Sequence, residues 1–207
     1  MRKRKKYGYI LLTSLVVLGL AGTPTDNSLS KKERKVAMDH MKDSRSDVAK
    51  AVKGLSEAQL NYRPGADKWT VQECVYHIAV TEKSLWGMLE ATLKAPANPE
   101  KRAEIKMNDE QVIKTLQDRS FKVKTSEQFE PKNTPYKSLD EALNEFKATR
   151  AEHIKYVKTT TGDLRNHVAQ TPLGWVDAYQ LCLFLSAHTN RHTQQINEVK
   201  ADPGFPK

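Results

Sequence analysis

The chain has 207 residues, 38% of them hydrophobic and 29% charged, a length and balance that suit one folded domain and exclude wholesale disorder. Its formal net charge of +9 comes from 34 basic and 25 acidic residues, but Arg2, Lys3, Arg4, Lys5 and Lys6 crowd the start, leaving 29 basic against 25 acidic residues after position 21. Without a long basic stripe, interleaved aromatics or a finger-like ligand spacing, no nucleic-acid partner is expected.

The first 21 residues follow the three-part pattern of a secretory signal peptide. A basic start leads into an apolar run over residues 10–20, broken only by Thr13, Ser14 and Gly19. Gly19 and Ala21 supply small residues at the −3 and −1 positions of a cut after Ala21. The run is shorter than the roughly 20 residues of a comfortable membrane span. The expectation is a periplasmic or secreted protein without a stable span after processing; left uncleaved, the segment is an N-terminal anchor. Residues 22–31, small and polar, read as a flexible lead-in.

A first helix is predicted over residues 32–52, with Gly54 stopping it. Residues 55–60 read as a short helical turn and residues 62–68 as loop, around Pro64 and Gly65. Thr70 with Glu73 forms a capping box that opens a second helix, running to about residue 93. Its core stripe is Val71, Val75, Ile78, Leu85 and Leu89. Pro96 and Pro99 mark a connection, followed by a short helix over residues 109–117. In residues 121–136, Phe121, Val123 and Thr125 alternate like a short strand, whereas Pro131 and Pro135 favour irregular loop. Ser138 with Glu141 reads as a second capping box, starting a helix that ends near residue 159. The last helix is predicted from Trp175 to about Val199; it is apolar on more than one face and therefore central. Four long helical segments argue for an all-α four-helix bundle over residues 32–200, with residues 201–207 as a tail.

Two cysteines, Cys74 and Cys182, both lie in apolar helical pattern. An oxidising location permits a disulfide, but two buried free thiols fit the pattern better. Of the six histidines, His188 and His192 stand four apart, so both imidazoles can reach one metal from one helix face. His77 lies among apolar residues of the second helix, where an imidazole needs a partner. Taken by spacing alone, each also fits a bland reading, a polar surface face or a bonded core histidine. His40 and His153, among lysines and carboxylates, read as surface residues, and His167 as a loop residue. Arg191 is placed to orient an anion or to make a salt bridge, and Gln195 to support His192 or simply pack. Glu73 is explained by capping, and Glu82 points away from His77.

The blocks Tyr62-Arg63-Pro64, Lys68-Trp69-Thr70-Val71-Gln72-Glu73 and His77-Ile78-Ala79, followed by His188-Thr189-Asn190-Arg191-His192-Thr193-Gln194-Gln195-Ile196, occur in that order. On them the chain resembles the DinB-like superfamily of metal-binding four-helix proteins, over roughly residues 32–200. The resemblance implies metal ligands at His77, His188 and His192, and a divalent ion, with zinc preferred over nickel or iron. It also implies, as the main reading, transfer chemistry with a low-molecular-weight thiol, with metal-dependent hydrolysis as the alternative. A non-catalytic metal-binding envelope protein is the third reading. A small-molecule substrate or thiol is the expected partner, and a homodimer is compatible with the sequence. The departures from the family pattern are the leader and the long segment between Lys94 and Tyr136, which could cover the site mouth. The leader is checked by mass spectrometry of the natively expressed protein: a chain starting at Gly22 is expected, and an intact chain retaining the leader rules out cleavage.

Overall fold

The structure, a computed structural model, describes residues 27–207, so the expected leader lies outside the described residues. The elements in order are α1 (Lys31–Val52), α2 (Glu57–Leu60), α3 (Val71–Lys94), α4 (Asp109–Gln117), α5 (Leu139–Thr159), β1 (Val168–Thr171), β2 (Gly174–Asp177) and α6 (Ala178–Lys200), with short 3₁₀ turns at Pro99–Glu104, Glu127–Phe129 and Pro131–Asn133. The four long helices form the bundle. Helix α6 packs on α1, α3 and α4, while α5 packs on α1 and α3. Around the bundle the order is therefore α1, α6, α3, α5. Fifteen of the 23 residues of α6 are buried, which makes it the central helix its sequence pattern predicts.

Each start signal has a local cause. Ser30 caps α1 with Glu33, and Thr70 caps α3 with Glu73, as reciprocal boxes. Ser138 accepts from the Glu141 N–H, but the Glu141 carboxylate turns instead to the Lys137 N–H at 2.8 Å, so the expected second box is only half formed. The last helix starts at Ala178, three residues later than predicted, because Gly174–Asp177 pairs antiparallel with Val168–Thr171. Gly174, at φ +101°, enters this hairpin in a conformation that side chains disfavour. Asp177 then caps α6 with Gln180. Phe121, Val123 and Thr125 form no strand. The chain end docks: the Tyr62 hydroxyl donates to Asp202 at 2.6 Å, and the Tyr62 ring meets Phe205 edge-on. No helix among the described residues is long and apolar enough to cross a membrane.

The apolar interior is split into two clusters, and their membership gives the helix directions. One cluster takes Met41 of α1, Leu89 of α3, Val157 of α5 and Cys182 of α6; the other takes Val48, Val75, Phe146 and Ile196 of the same four helices. Helices α1 and α6 therefore run one way, and α3 and α5 both run the other. Two helices running the same way cannot be joined by a tight turn; the chain must travel back along the bundle. Residues 95–138 do this, which explains the length of a segment too long for a simple up-and-down bundle. Val112 and Leu116 of α4 join the first cluster and Tyr136 the second, so the crossing spans both halves.

Between the clusters every long helix interrupts its core stripe with a polar residue: Ser44 on α1, Glu82 on α3, Arg150 and His153 on α5, Thr189 on α6. Arg150 is fully buried and binds Glu82 through two bonds of 2.6 and 2.5 Å. It also donates to Ser44 Oγ at 2.7 Å and Thr189 Oγ1 at 2.8 Å. One guanidinium thus touches the three other helices. His153 is buried, not at the surface as its charged neighbours in sequence suggested; its Nδ1 meets Glu82 at 2.7 Å and its ring stacks on Trp86 at 3.7 Å. Burial pushes the Glu82 carboxyl up, but Arg150 and His153 outweigh it and hold the group below the usual carboxylate range. Its stabilising contribution is therefore present above about pH 4.3, the unfolded value, and is lost as pH falls through the lower folded value. Arg150→Ala strands the Glu82 charge and is expected to cost about 3–5 kcal/mol in urea unfolding at pH 7. The double change Arg150→Met with Glu82→Leu should cost clearly less, and equal losses would show that packing, not charge pairing, dominates.

Candidate metal centre

Helix α3 supplies His77 and α6 supplies His188 and His192. His77 and His192 are 3% and 7% exposed, and His188 is half-buried. One ligand atom from each lies within 4.8 Å of the others. The four-residue offset on α6 and the antiparallel packing of α3 bring the rings together. His40 and His167 stay outside: His167 Nδ1 faces the Thr92 carbonyl at 3.2 Å.

The outward nitrogens decide which atoms face the centre. His77 Nδ1 lies 2.9 Å from the Phe129 carbonyl, which can only accept, so Nδ1 carries the proton. His192 Nδ1 lies 3.0 Å from Gln195 Oε1, which leaves it the same tautomer. The Thr81 hydroxyl donates to the His77 carbonyl at 2.6 Å, so its oxygen is left to accept a long 3.5 Å bond from His188 Nδ1. All three Nε2 atoms then present lone pairs inward. Those of His77 and His188 stand 3.4 Å apart with no proton to share. A cation between two such facing lone pairs would be held by both. A tetrahedral zinc ion with Zn–N of about 2.0–2.1 Å separates its nitrogens by about 3.3 Å, so the spacing fits. The cluster is capable of coordinating a divalent metal, and neutral imidazole is a competent ligand for several such ions.

The protonation states agree. Burial pushes the His77 imidazole down to about 4, against the pull of its bond to Phe129. Burial, with His77 beside it, pushes His188 down to about 3. Burial and the other two rings hold His192 well below the ordinary value. Trp69 closes one side, its ring 5.7 Å from His192 and nearly parallel, and 4.9 Å from His77. It packs over the cluster.

Residues near the cluster take roles the sequence left open. Gln195 supports His192. Arg191 makes no salt bridge among the described residues; it donates to the carbonyls of Asp118 and Phe121, the latter at 2.7 Å, and pins the crossing segment to α6. Arg63 pairs with Glu73 at 2.6 Å, tying the loop before α3 to the capping residue. Cys74 and Cys182 are free and buried, and burial pushes both thiols up, which removes them as nucleophiles. The Phe129 carbonyl escaped sequence reasoning, since a main-chain group 52 residues from His77 leaves no mark in side-chain spacing. Glu82 and Arg150 did leave one: each sits on a core stripe where an apolar residue belongs.

A cleft of about 710 Å³ opens beside the cluster. His192, Gln195 and Trp69 line its inner side, and residues of the crossing segment, among them Phe121 and Lys124, line its outer side. The cleft thus reaches the cluster at His192.

Fold and cluster together define a four-helix-bundle protein with a three-histidine site able to hold a divalent metal. A model of the DinB superfamily matches residues 40–196, and the chain belongs to that superfamily. It is 24% identical over 165 residues to the uncharacterized protein YuaE of Bacillus subtilis (strain 168), covering 76% of this chain and 93% of that one. Its fold is similar to that of YfiT from Bacillus subtilis, described as a probable metal-dependent hydrolase with an unusual four-helix bundle topology. That likeness has a TM-score of 0.59 at 15% identity and covers 86% of this chain and 92% of YfiT.

Gln195→Leu frees the His192 ring and is expected to weaken zinc affinity about 10–100-fold, measured by competition with a chromophoric chelator. His77→Ala, His188→Ala and His192→Ala should each sharply reduce metal content by elemental analysis; full retention in all three contradicts a shared site. The three lowered imidazoles also set a pH dependence. Below about pH 6.5 the unfolded metal-free chain takes up protons that the folded chain refuses until near pH 4. The urea midpoint of chelator-treated protein should be level above pH 6.5 and fall between pH 6.5 and 4; a level midpoint throughout shows that the rings are not held neutral.

Proposed function

We propose that the protein is a metal-dependent hydrolase whose ion is held by His77, His188 and His192. The observation that carries this reading is the convergence of three neutral Nε2 donors, one of them on His192, which lines an open cleft. Three protein ligands leave a coordination position for water or substrate. When bound, such an ion supplies Lewis acidity, polarising a substrate oxygen and making water a stronger acid. The likeness to YfiT supports hydrolysis in particular.

The chain's own residues do the rest. Phe129, Gln195 and Thr81 hold the three ring protons on Nδ1, which keeps the donors aimed and the imidazoles neutral. Neutral donors leave the ion's charge undiminished, which favours acidification of water over a thiolate- or carboxylate-rich site. Trp69 excludes water from one side of the cluster. In the net reaction one water cleaves an ester, amide or phosphate bond; its oxygen joins the acyl or phosphoryl centre and a proton leaves with the departing group. The signal-peptide pattern supports a site of action outside the cytoplasm.

The test is turnover of a panel of chromogenic esters, anilides and phosphate esters by zinc-loaded protein without added thiol. Hydrolysis is expected, with at least a hundredfold loss after chelation or in His188→Ala. Turnover that requires a small thiol overturns hydrolysis in favour of thiol transfer. Tight zinc binding without turnover of any member favours a purely structural ion.

A further inference from the structure

The cleft beside His192 carries positive charge that the fold does not neutralise. Arg63, Arg119 and Lys132 on its walls are each paired with a carboxylate. Lys68 and Lys124 also line it and have no ion pair among the described residues. Lys122 meets Asp67 only at 3.9 Å, with both side chains mostly exposed, an arrangement that solvent screens strongly. Arg191 is the more telling cation. It is 7% exposed, lines the same cleft, and is bonded to carbonyl oxygens, whose dipoles hold it without cancelling its charge. The three histidines add no negative charge. Seven cationic side chains line the cleft against five carboxylates, Asp67, Glu73, Glu130, Glu198 and Asp202, so it keeps a positive balance, and a protein-walled cleft with such a balance concentrates ligands of the opposite sign.

The same cleft exposes apolar surface. Phe121 and Val123 are 42% and 65% exposed, two of the three large hydrophobic side chains exposed among the described residues, and both line it. Trp69 lies on the inner side, against His192. Cationic and apolar surfaces thus share one opening at the cluster.

We infer that this cleft selects small substrates that join an oxyanion, a carboxylate or a phosphate-type group, to an apolar body. The oxyanion meets Lys68 and Lys124 in the field of Arg191; the apolar body lies on Phe121 and Val123; the bond to be broken lies toward the three histidines. The selection deepens the hydrolase reading and rests on it for the fate of the substrate, but the binding preference belongs to residues that are not metal ligands.

The test separates these parts. Calorimetry on chelator-treated and on zinc-loaded protein uses 3-phenylpropionate, phenylphosphonate and the neutral 3-phenylpropanamide. Both anions should bind the metal-free protein at least tenfold more tightly than the amide, and less tightly as salt rises. The variant Lys68→Glu with Lys124→Glu should lose that preference while keeping wild-type melting temperature and zinc content. Equal affinity for the amide, no binding of any probe, anion binding only when zinc is present, or an unchanged preference in the double variant each overturns the inference. A second arm compares zinc-loaded turnover of 4-nitrophenyl hemisuccinate with that of 4-nitrophenyl propionate. The double variant should raise KM for the anionic ester at least tenfold more than for the neutral one. Anion preference in calorimetry without turnover of either ester defeats the hydrolase reading and leaves the selectivity standing. Turnover of both esters with equal KM defeats the selectivity and leaves the hydrolase reading intact.

Discussion

The structure depends on one buried contact, the Arg150–Glu82 ion pair in a polar layer across the middle of the bundle. Apolar side chains above and below it would tolerate many relative heights of the four helices, because hydrophobic contact is non-directional. A guanidinium that must meet Glu82, Ser44 and Thr189 together does not. Sliding any one helix by a turn, about 5.4 Å, would strand a buried charge or hydroxyl. Such a pair often adds little net stability over apolar residues of equal volume, and its effect here is on register. The histidines depend on that register. His77 lies five residues before Glu82 on α3, and His188 immediately precedes Thr189 on α6. The alignment that joins Arg150 to both helices is the one that faces the imidazoles across the α3–α6 contact.

Helix direction makes the second constraint. Because α3 and α5 run the same way, the chain between them must return along the whole bundle, and it passes over the cluster on its way. The route is held at α6 by Arg191, by Gln194, which donates to the Gln117 carbonyl at 3.1 Å, and by Arg119, which binds Glu198 through two bonds. At α3 it is held by the Phe129 carbonyl on His77. The segment that topology requires is thus also the outer wall of the cleft and a partner of one imidazole. At the far end Arg165 gathers Glu33, Asp109 and Asp177, joining the starts of α1, α4 and α6, with its guanidinium 4.1 Å from the Tyr179 ring.

Electrostatics link cluster and cleft. The imidazoles are kept neutral, their protons are held outward, and the cleft carboxylates Glu73, Glu198, Glu130 and Asp202 are taken up by Arg63, Arg119, Lys132 and the Tyr62 hydroxyl. The site is therefore poor in negative charge at the point where a divalent ion fits. An ion there would attract anions and acidify water, and both tendencies bear on the chemistry proposed for the cleft.

Much of this was legible from residue order. Thr70 with Glu73 marked the start of α3, the 3.6-residue stripes marked the four long helices, and His188 with His192 marked one shared face. Those signals are local, and local backbone geometry decides them. The polar layer was legible too: Glu82 continues the stripe of Val71, Val75 and Ile78, and Arg150 and His153 continue that of Leu143 and Phe146. Charged neighbours in the chain made His153 look like a surface residue, yet the 3.6 period had already placed it inward. Other features left no local mark. The parallel course of α3 and α5, the Phe129 carbonyl on His77, the turn of Arg191 toward main-chain oxygens and the union of Lys68 with Lys124 in one cleft join residues far apart in sequence. By itself the sequence determined the helices and their inward faces, because those follow from the residue period, while His77, His188 and His192 stood out as ligands only through the family resemblance. Only the tertiary structure decided that three histidines meet, which nitrogens they present and what wall stands opposite, because those depend on how the helices run and where the long crossing comes to rest.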